Sequence, residues 1–155
     1  MKIVAFGSTR RKDTKAKDDP QLQCLVASGA KNACIVAKGS LKHVTKILST
    51  TAEENLEMIR DSVEFLKSSG LNVFVDLEHF YDGYLDDQNY SSQLISTCVD
   101  SGVSHIVLCD TNGGSLPKTI SAITSSVASA LPSLSTSPIL GVHCHNDMGL
   151  SVANR

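Results

Sequence analysis

The chain has 155 residues, 41% of them hydrophobic, with no tryptophan and a formal charge of −2. That length accommodates one domain with a real core, and the absence of a basic excess excludes a nucleic-acid partner. The apolar runs span only a few residues and no secretory leader precedes the first strand-like segment, so no membrane association is expected. Five scattered cysteines (Cys24, Cys34, Cys98, Cys109 and Cys144) form no C-x-x-C pair, and read as reduced, mostly buried thiols of a cytoplasmic protein.

Ile3-Val4-Ala5-Phe6 reads as a first strand, stopped by Gly7. The basic stretch from Lys12 to Lys17 reads as a solvated loop. Arg10 and Arg11 sit directly at the strand end, where a guanidinium can meet a carboxylate or phosphate, so Arg10 is a candidate substrate-binding residue. Asp19-Pro20 opens a helix that Gly29 closes, and Ala33 to Ala37 is the second strand. Leu41, Val44, Ile47 and Leu48 follow with helical spacing. Thr50 with Glu53, or Thr51 with Glu54, makes a capping box for a helix whose stripe is Leu56, Ile59, Val63 and Leu66.

Leu71 to Glu78 is the third strand, and it ends in acids. Asp76 and Glu78 share one face, Leu77 and His79 the other. Tyr90 to Ser101 is a helix closed by Gly102. Val103 to Cys109 is the fourth strand, leading into Asp110-Thr111-Asn112-Gly113-Gly114. A helix with Pro117 near its start runs through Ile120, Ile123 and Val127 to Leu131, followed by a short Ser-rich linker, Pro132 to Pro138. The fifth strand begins at Ile139 and ends in His143-Cys144-His145-Asn146-Asp147. On a strand His143 and His145 point the same way and Cys144 the other, so two imidazoles can reach one metal ion and a Cys144–His zinc site is rejected. Asn146 and Asp147 offer a carbonyl or carboxylate for a ligand's second ring N–H. Gly149 to Asn154 reads as the start of a helix.

Strand and helix alternate strictly, which predicts parallel strands with crossover helices. No G-x-G-x-x-G follows the first strand, which disfavours a dinucleotide-binding sheet. Polar residues gather after every strand: Arg10, Lys38, Glu78, Asp110 with Thr111, and His143 with His145. A TIM barrel concentrates its active site there, in eight units over about 250 residues. The five strands here predict an α/β fold that is part of a (β/α)8 barrel, with residues 1–155 as one partial barrel domain.

Phe6-Gly7-Ser8-Thr9-Arg10-Arg11-Lys12, Asp76-Leu77-Glu78-His79-Phe80-Tyr81-Asp82-Gly83-Tyr84, Leu108 to Gly114 and Gly141 to Asp147 resemble the citramalate synthases, as does Thr50 to Val63. These belong to the metal-dependent Claisen-condensing enzymes, with the isopropylmalate and homocitrate synthases. The resemblance implies a pyruvate carboxyltransferase-type barrel, of which this chain looks like strands three to seven of eight. It implies a divalent metal (Mg²⁺, Mn²⁺ or Zn²⁺) held partly by His143 and His145, with an aspartate and an asparagine on strands this chain lacks. It implies Glu78 as a catalytic acid near the substrate and Thr111 as the ligand of the keto acid's carboxylate. The partners implied are acetyl-CoA and pyruvate, joined to give (R)-citramalate in isoleucine biosynthesis, with a homodimer when full length. The alternatives are 2-isopropylmalate synthesis, or a fragment without activity of its own. Asp76 is expected only to bond loop amides, Asp110 to brace the loop before its helix, and His43 and His105 to be structural or exposed.

Overall fold

The computed structural model describes residues 3–131 and 138–155. Five strands form one parallel sheet in sequence order: β1 (Val4–Ser8), β2 (Asn32–Lys38), β3 (Asn72–Glu78), β4 (His105–Asp110) and β5 (Ile139–Cys144). Six helices connect them: α1 (Pro20–Ala27), α2 (Leu41–Lys46), α3 (Ala52–Ser68), α4 (Phe80–Asp86), α5 (Gln88–Asp100) and α6 (Pro117–Ala130). Sequential parallel strands joined by right-handed crossovers place every helix on the same side of the sheet. This is the expected partial barrel.

Alternation along the strands sorts the residues. Ala33, Ile35, Ala37, Val73, Val75, Leu77, Ile106 and Leu108 are fully buried and face the helices. They pack on Ile59, Val63 and Leu66 of α3, on Leu94 and Cys98 of α5, and on Ile120, Ile123 and Val127 of α6. The other face carries Phe6, Cys34, Val36, Phe74, Asp76, Glu78, Cys109 and His143. Among the described residues no helix covers it, and Phe6 is 68% exposed. The register places Cys34 beside Phe74, Asp76 beside Val107, and Cys109 beside His143.

Local signals act as expected at several helix ends. Asp19 caps α1 by accepting from Gln21 N–H (2.9 Å) and Leu22 N–H (3.2 Å). Of the two possible capping boxes, Thr51 with Glu54 forms, and only by half. Thr51 accepts from the Glu54 N–H at 3.2 Å, while the Glu54 carboxylate binds Arg10 instead of returning to the Thr51 N–H.

Three expectations are corrected. Phe80–Asp86 is a helix that the sequence reading missed. It starts on His79, whose left-handed backbone (φ 59°) ends β3, so His79 is not on the strand's alternation. The segment after Gly149 makes turns rather than a helix, with one Asn154 N–H to Leu150 C=O bond of 3.0 Å. Ile47 is 61% exposed and falls outside α2. The Ser-rich linker lies outside the described residues, apart from Pro138. Among the described residues no helix is long and apolar enough to cross a membrane.

Candidate metal centre and substrate cleft

The open face of the sheet forms a cleft of about 190 Å³ at the carboxyl ends of the strands. Asp76, Glu78, Cys109, Thr111, His143 and His145 line it, with Phe6 and Val36 on the β1 side. The sequence places four of these together as expected: His143, His145, Glu78 and Thr111.

The two imidazoles stack, with ring centroids 5.0 Å apart and planes at 28°. Their loop is fixed from β4. The His145 N–H donates to Asp110 C=O (3.2 Å) and the Met148 N–H to Gly113 C=O (3.3 Å). Gly113 has φ 61°, and a Cβ there would lie 2.8 Å from the Asp147 nitrogen and 3.0 Å from the His145 carbonyl carbon. The Asp-Thr-Asn-Gly-Gly turn therefore seats the H-x-H loop, and only glycine fits at its closest approach. Asp110 braces that turn as expected, accepting from the Ser115 hydroxyl (2.9 Å) and N–H (3.3 Å).

Thr111 Oγ1 accepts from the His79 N–H at 2.8 Å. Its own hydroxyl hydrogen is thereby directed elsewhere and is available to an anion in the cleft. Glu78 ion-pairs with Lys38 of β2, so both charges stand at the rim in contact with each other.

Asp76 departs from its expected role. Its Oδ1 accepts from the Cys34 thiol at 3.1 Å, and its Oδ2 lies 3.7 Å from His143 Nδ1. Cys109 Sγ lies 4.0 Å from the same nitrogen. The part expected of Asn146 or Asp147, meeting a histidine's second nitrogen, falls to Asp76. Asn146 Oδ1 is instead taken by the Ser151 N–H and hydroxyl (3.1 and 2.8 Å). Burial, and then the Asp76 hydrogen bond, push the Cys34 thiol up to about 12, and burial pushes the Cys109 thiol up as well. The alternation that paired His143 with His145 also pairs Cys109 with Thr111, and that was the available signal for Cys109. Cys144 is buried on the helix side, its Sγ 3.8 Å from Asn154 C=O, so its exclusion stands.

Arg10 is a correction. It does reach carboxylates, but they belong to α3: Nη1 lies 2.8 Å from Glu54 Oε1 and Nε 2.7 Å from Asp61 Oδ2. Its side chain is 7% exposed and does not line the cleft. A buried guanidinium is stable only when paired, and two acids two turns apart on one face of α3 complete it. Arg10→Ala should lower stability by about 1–3 kcal/mol, moderated because both acids are partly exposed. Urea unfolding measures this, and affinity for a divalent ion should not move.

His43 and His79 pack edge to face with centroids 3.9 Å apart, and His105 stacks on Phe74 at 3.9 Å, so the structural reading of His43 and His105 holds. Tyr81 is fully buried, its hydroxyl 2.8 Å from Thr124 Oγ1.

Comparison with known proteins places the chain in a family and a fold. The HMGL-like family model matches residues 1–155. The (R)-citramalate synthases of Streptomyces coelicolor and Sulfolobus acidocaldarius are 44% and 42% identical, over 98% and 99% of this chain and 28% of each relative. A 2-isopropylmalate synthase of Acidovorax ebreus is 33% identical over 83% of the chain and 24% of that relative. The chain therefore spans just over a quarter of the length of the curated relatives it matches. An HMG-CoA lyase of Bacillus subtilis superposes with a TM-score of 0.78 at 17% identity, over 97% of this chain and 47% of that one. Another from Acinetobacter baumannii, in complex with coenzyme A and 3-methylmalate, gives 0.73 at 20% identity, over 97% of this chain and 46% of that one. At such identities these structures establish the fold alone. From the match along its whole length, the chain belongs to the HMGL-like family.

Proposed function

We propose that this chain carries the metal-binding and keto-acid-binding part of a Claisen condensation, in which the full-length protein joins acetyl-CoA to pyruvate and makes (R)-citramalate. The observation that carries this reading is the convergence of His143, His145, Glu78 and Thr111 on one cleft at the strand ends. The identity of 40–44% to five (R)-citramalate synthases supports pyruvate over larger keto acids.

The donors at the cleft fit a divalent cation: two imidazoles, the Asp76 and Glu78 carboxylates and the Thr111 hydroxyl are a mixed nitrogen and oxygen set. His143 turns Nδ1 toward Asp76, which leaves Nε2 as its free nitrogen, and His145 stands beside it. An Mg²⁺, Mn²⁺ or Zn²⁺ ion held there would supply Lewis-acid polarisation of the 2-keto oxygen.

Thr111 donates its hydroxyl to the pyruvate carboxylate, and the His79 N–H holds that hydroxyl in place. Glu78 relays to the keto oxygen, as the new carbon–carbon bond forms, a proton drawn from the Lys38 ammonium with which it pairs. The proton lost from the acetyl methyl group goes to a base outside these residues. Water then cleaves the thioester and releases coenzyme A. Closure of the open sheet face by further barrel strands would exclude water from the reacting carbons.

The test is release of free thiol from acetyl-CoA by the full-length protein. Turnover with pyruvate is expected. Turnover with 2-ketoisovalerate in its place would make it an isopropylmalate synthase, and turnover with neither would sink the condensation reading.

A further inference from the structure

We propose that Cys34, Asp76, Cys109 and His143 form a second cation site, on the Nδ1 edge of His143, that takes a thiophilic ion such as Zn²⁺ or Cd²⁺. The inference goes beyond the condensation reading and stands whether or not that reading holds.

Four adjacent strands, β2 to β5, each send one residue of the open face to this point. The row is continuous: Cys34 Sγ to Asp76 Oδ1 is 3.1 Å, Asp76 Oδ2 to His143 Nδ1 is 3.7 Å, and His143 Nδ1 to Cys109 Sγ is 4.0 Å. One ligand atom from each of Asp76, Cys109 and His143 falls within 4.8 Å of the others. A tetrahedral zinc with bonds of about 2.0–2.3 Å separates its ligand atoms by roughly 3.3–3.8 Å. Closing that trio around an ion takes side-chain shifts of up to about an ångström, and the Cys34 thiol, already bonded to Asp76, joins by rotation about its χ1.

Charge points the same way. Among the described residues no lysine or arginine pairs with Asp76, because the neighbouring Lys38 is taken by Glu78. Cys109 is 4% exposed, and Cys34 is half-buried against Asp76. A carboxylate in that setting lacks a cation, and two thiols beside it select a soft one over Mg²⁺. Binding displaces both thiol protons to solvent and forms two metal–sulfur bonds, with no change of oxidation state.

His143 would serve both sites. An imidazole bound through both nitrogens must give up its last N–H proton, so occupancy of one site weakens the other. A thiophilic ion would therefore hold off the ion gripped by His143 and His145, giving the cleft a means of metal discrimination that the H-x-H pair alone lacks.

Cadmium titration of the metal-free chain in a Cys24→Ser background, which removes the exposed thiol, decides it. The thiolate-to-cadmium charge-transfer absorption should rise to saturation at one equivalent. Cys34→Ser and Cys109→Ser should each remove about half of it, since each supplies one of two sulfur ligands. His145→Ala should leave the band in place while abolishing Mn²⁺ binding, which separates this site from the condensation site. No band on the Cys24→Ser chain itself, or a full band in both further serine variants, overturns the proposal.

Discussion

Glu78→Gln in the full-length enzyme should lower kcat by about 10²–10⁴-fold, the range for loss of a positioned acid–base group. On the proposed function the KM for pyruvate should move little, because Thr111 and the metal held by the histidines would still bind the keto acid. Glutamine keeps the size and the hydrogen-bond acceptor of Glu78 but cannot take up and release a proton as a carboxyl group does. The ion pair with Lys38 is partly exposed, at 28% for Glu78 and 22% for Lys38, so its loss costs about 1 kcal/mol or less of stability. Steady-state kinetics beside urea unfolding therefore separate the roles. A variant that is less stable yet keeps the parent kcat would make Glu78 a structural residue.

Gly83→Ala should be the most damaging single methyl group in the chain. Gly83 lies in α4, where the helix backbone meets the turn after β2. A Cβ there would sit 2.9 Å from Ser40 Cα and closer still to the Gly39 carbonyl oxygen. A Cβ on Gly39 would in turn lie 2.8 Å from Glu78 C=O and 3.0 Å from Phe80 Cα. Two backbones touch with no side chain between them, so neither can yield by changing a rotamer. The cost should reach about 3 kcal/mol, the upper range for overpacking, out of a total of about 5–15 kcal/mol for a domain. The same movement would displace the Gly39 N–H from Glu78 C=O, a bond of 2.7 Å at the base of the Glu78 side chain. Thermal unfolding checks it. A midpoint unchanged from the parent would mean that α4 does not pack as described.

The relation of sequence to site is uneven in an instructive way. The period-2 alternation of short strands was enough to put His143 with His145, Asp76 with Glu78, and Cys144 behind the sheet. Alternation is a local rule, and it says nothing of which strand lies beside which. That is why Asp76 was set aside. Its partners Cys34 and His143 are 42 and 67 positions away, and they meet it only through the parallel register of β2 to β5. Arg10 failed for the same reason. Its strand-end position correctly called for carboxylates, but those that arrive come from α3, over 40 positions on. α4 went unread because Gly83 in its middle is a poor helix former, and here it serves as a contact point. The spacing of Phe80, Tyr81 and Tyr84 carried the helical signal.

The central claim is that His143 and His145 together grip a divalent ion in the cleft. Titration of the chain with Mn²⁺, followed by loss of the free-ion paramagnetic resonance signal, tests it most directly, because Mn²⁺ has little affinity for the nearby thiols. Two imidazoles with water in the remaining positions should bind weakly but measurably, and His143→Ala and His145→Ala should each abolish that binding. If both variants take up Mn²⁺ as tightly as the parent, the histidine pair is not the metal centre.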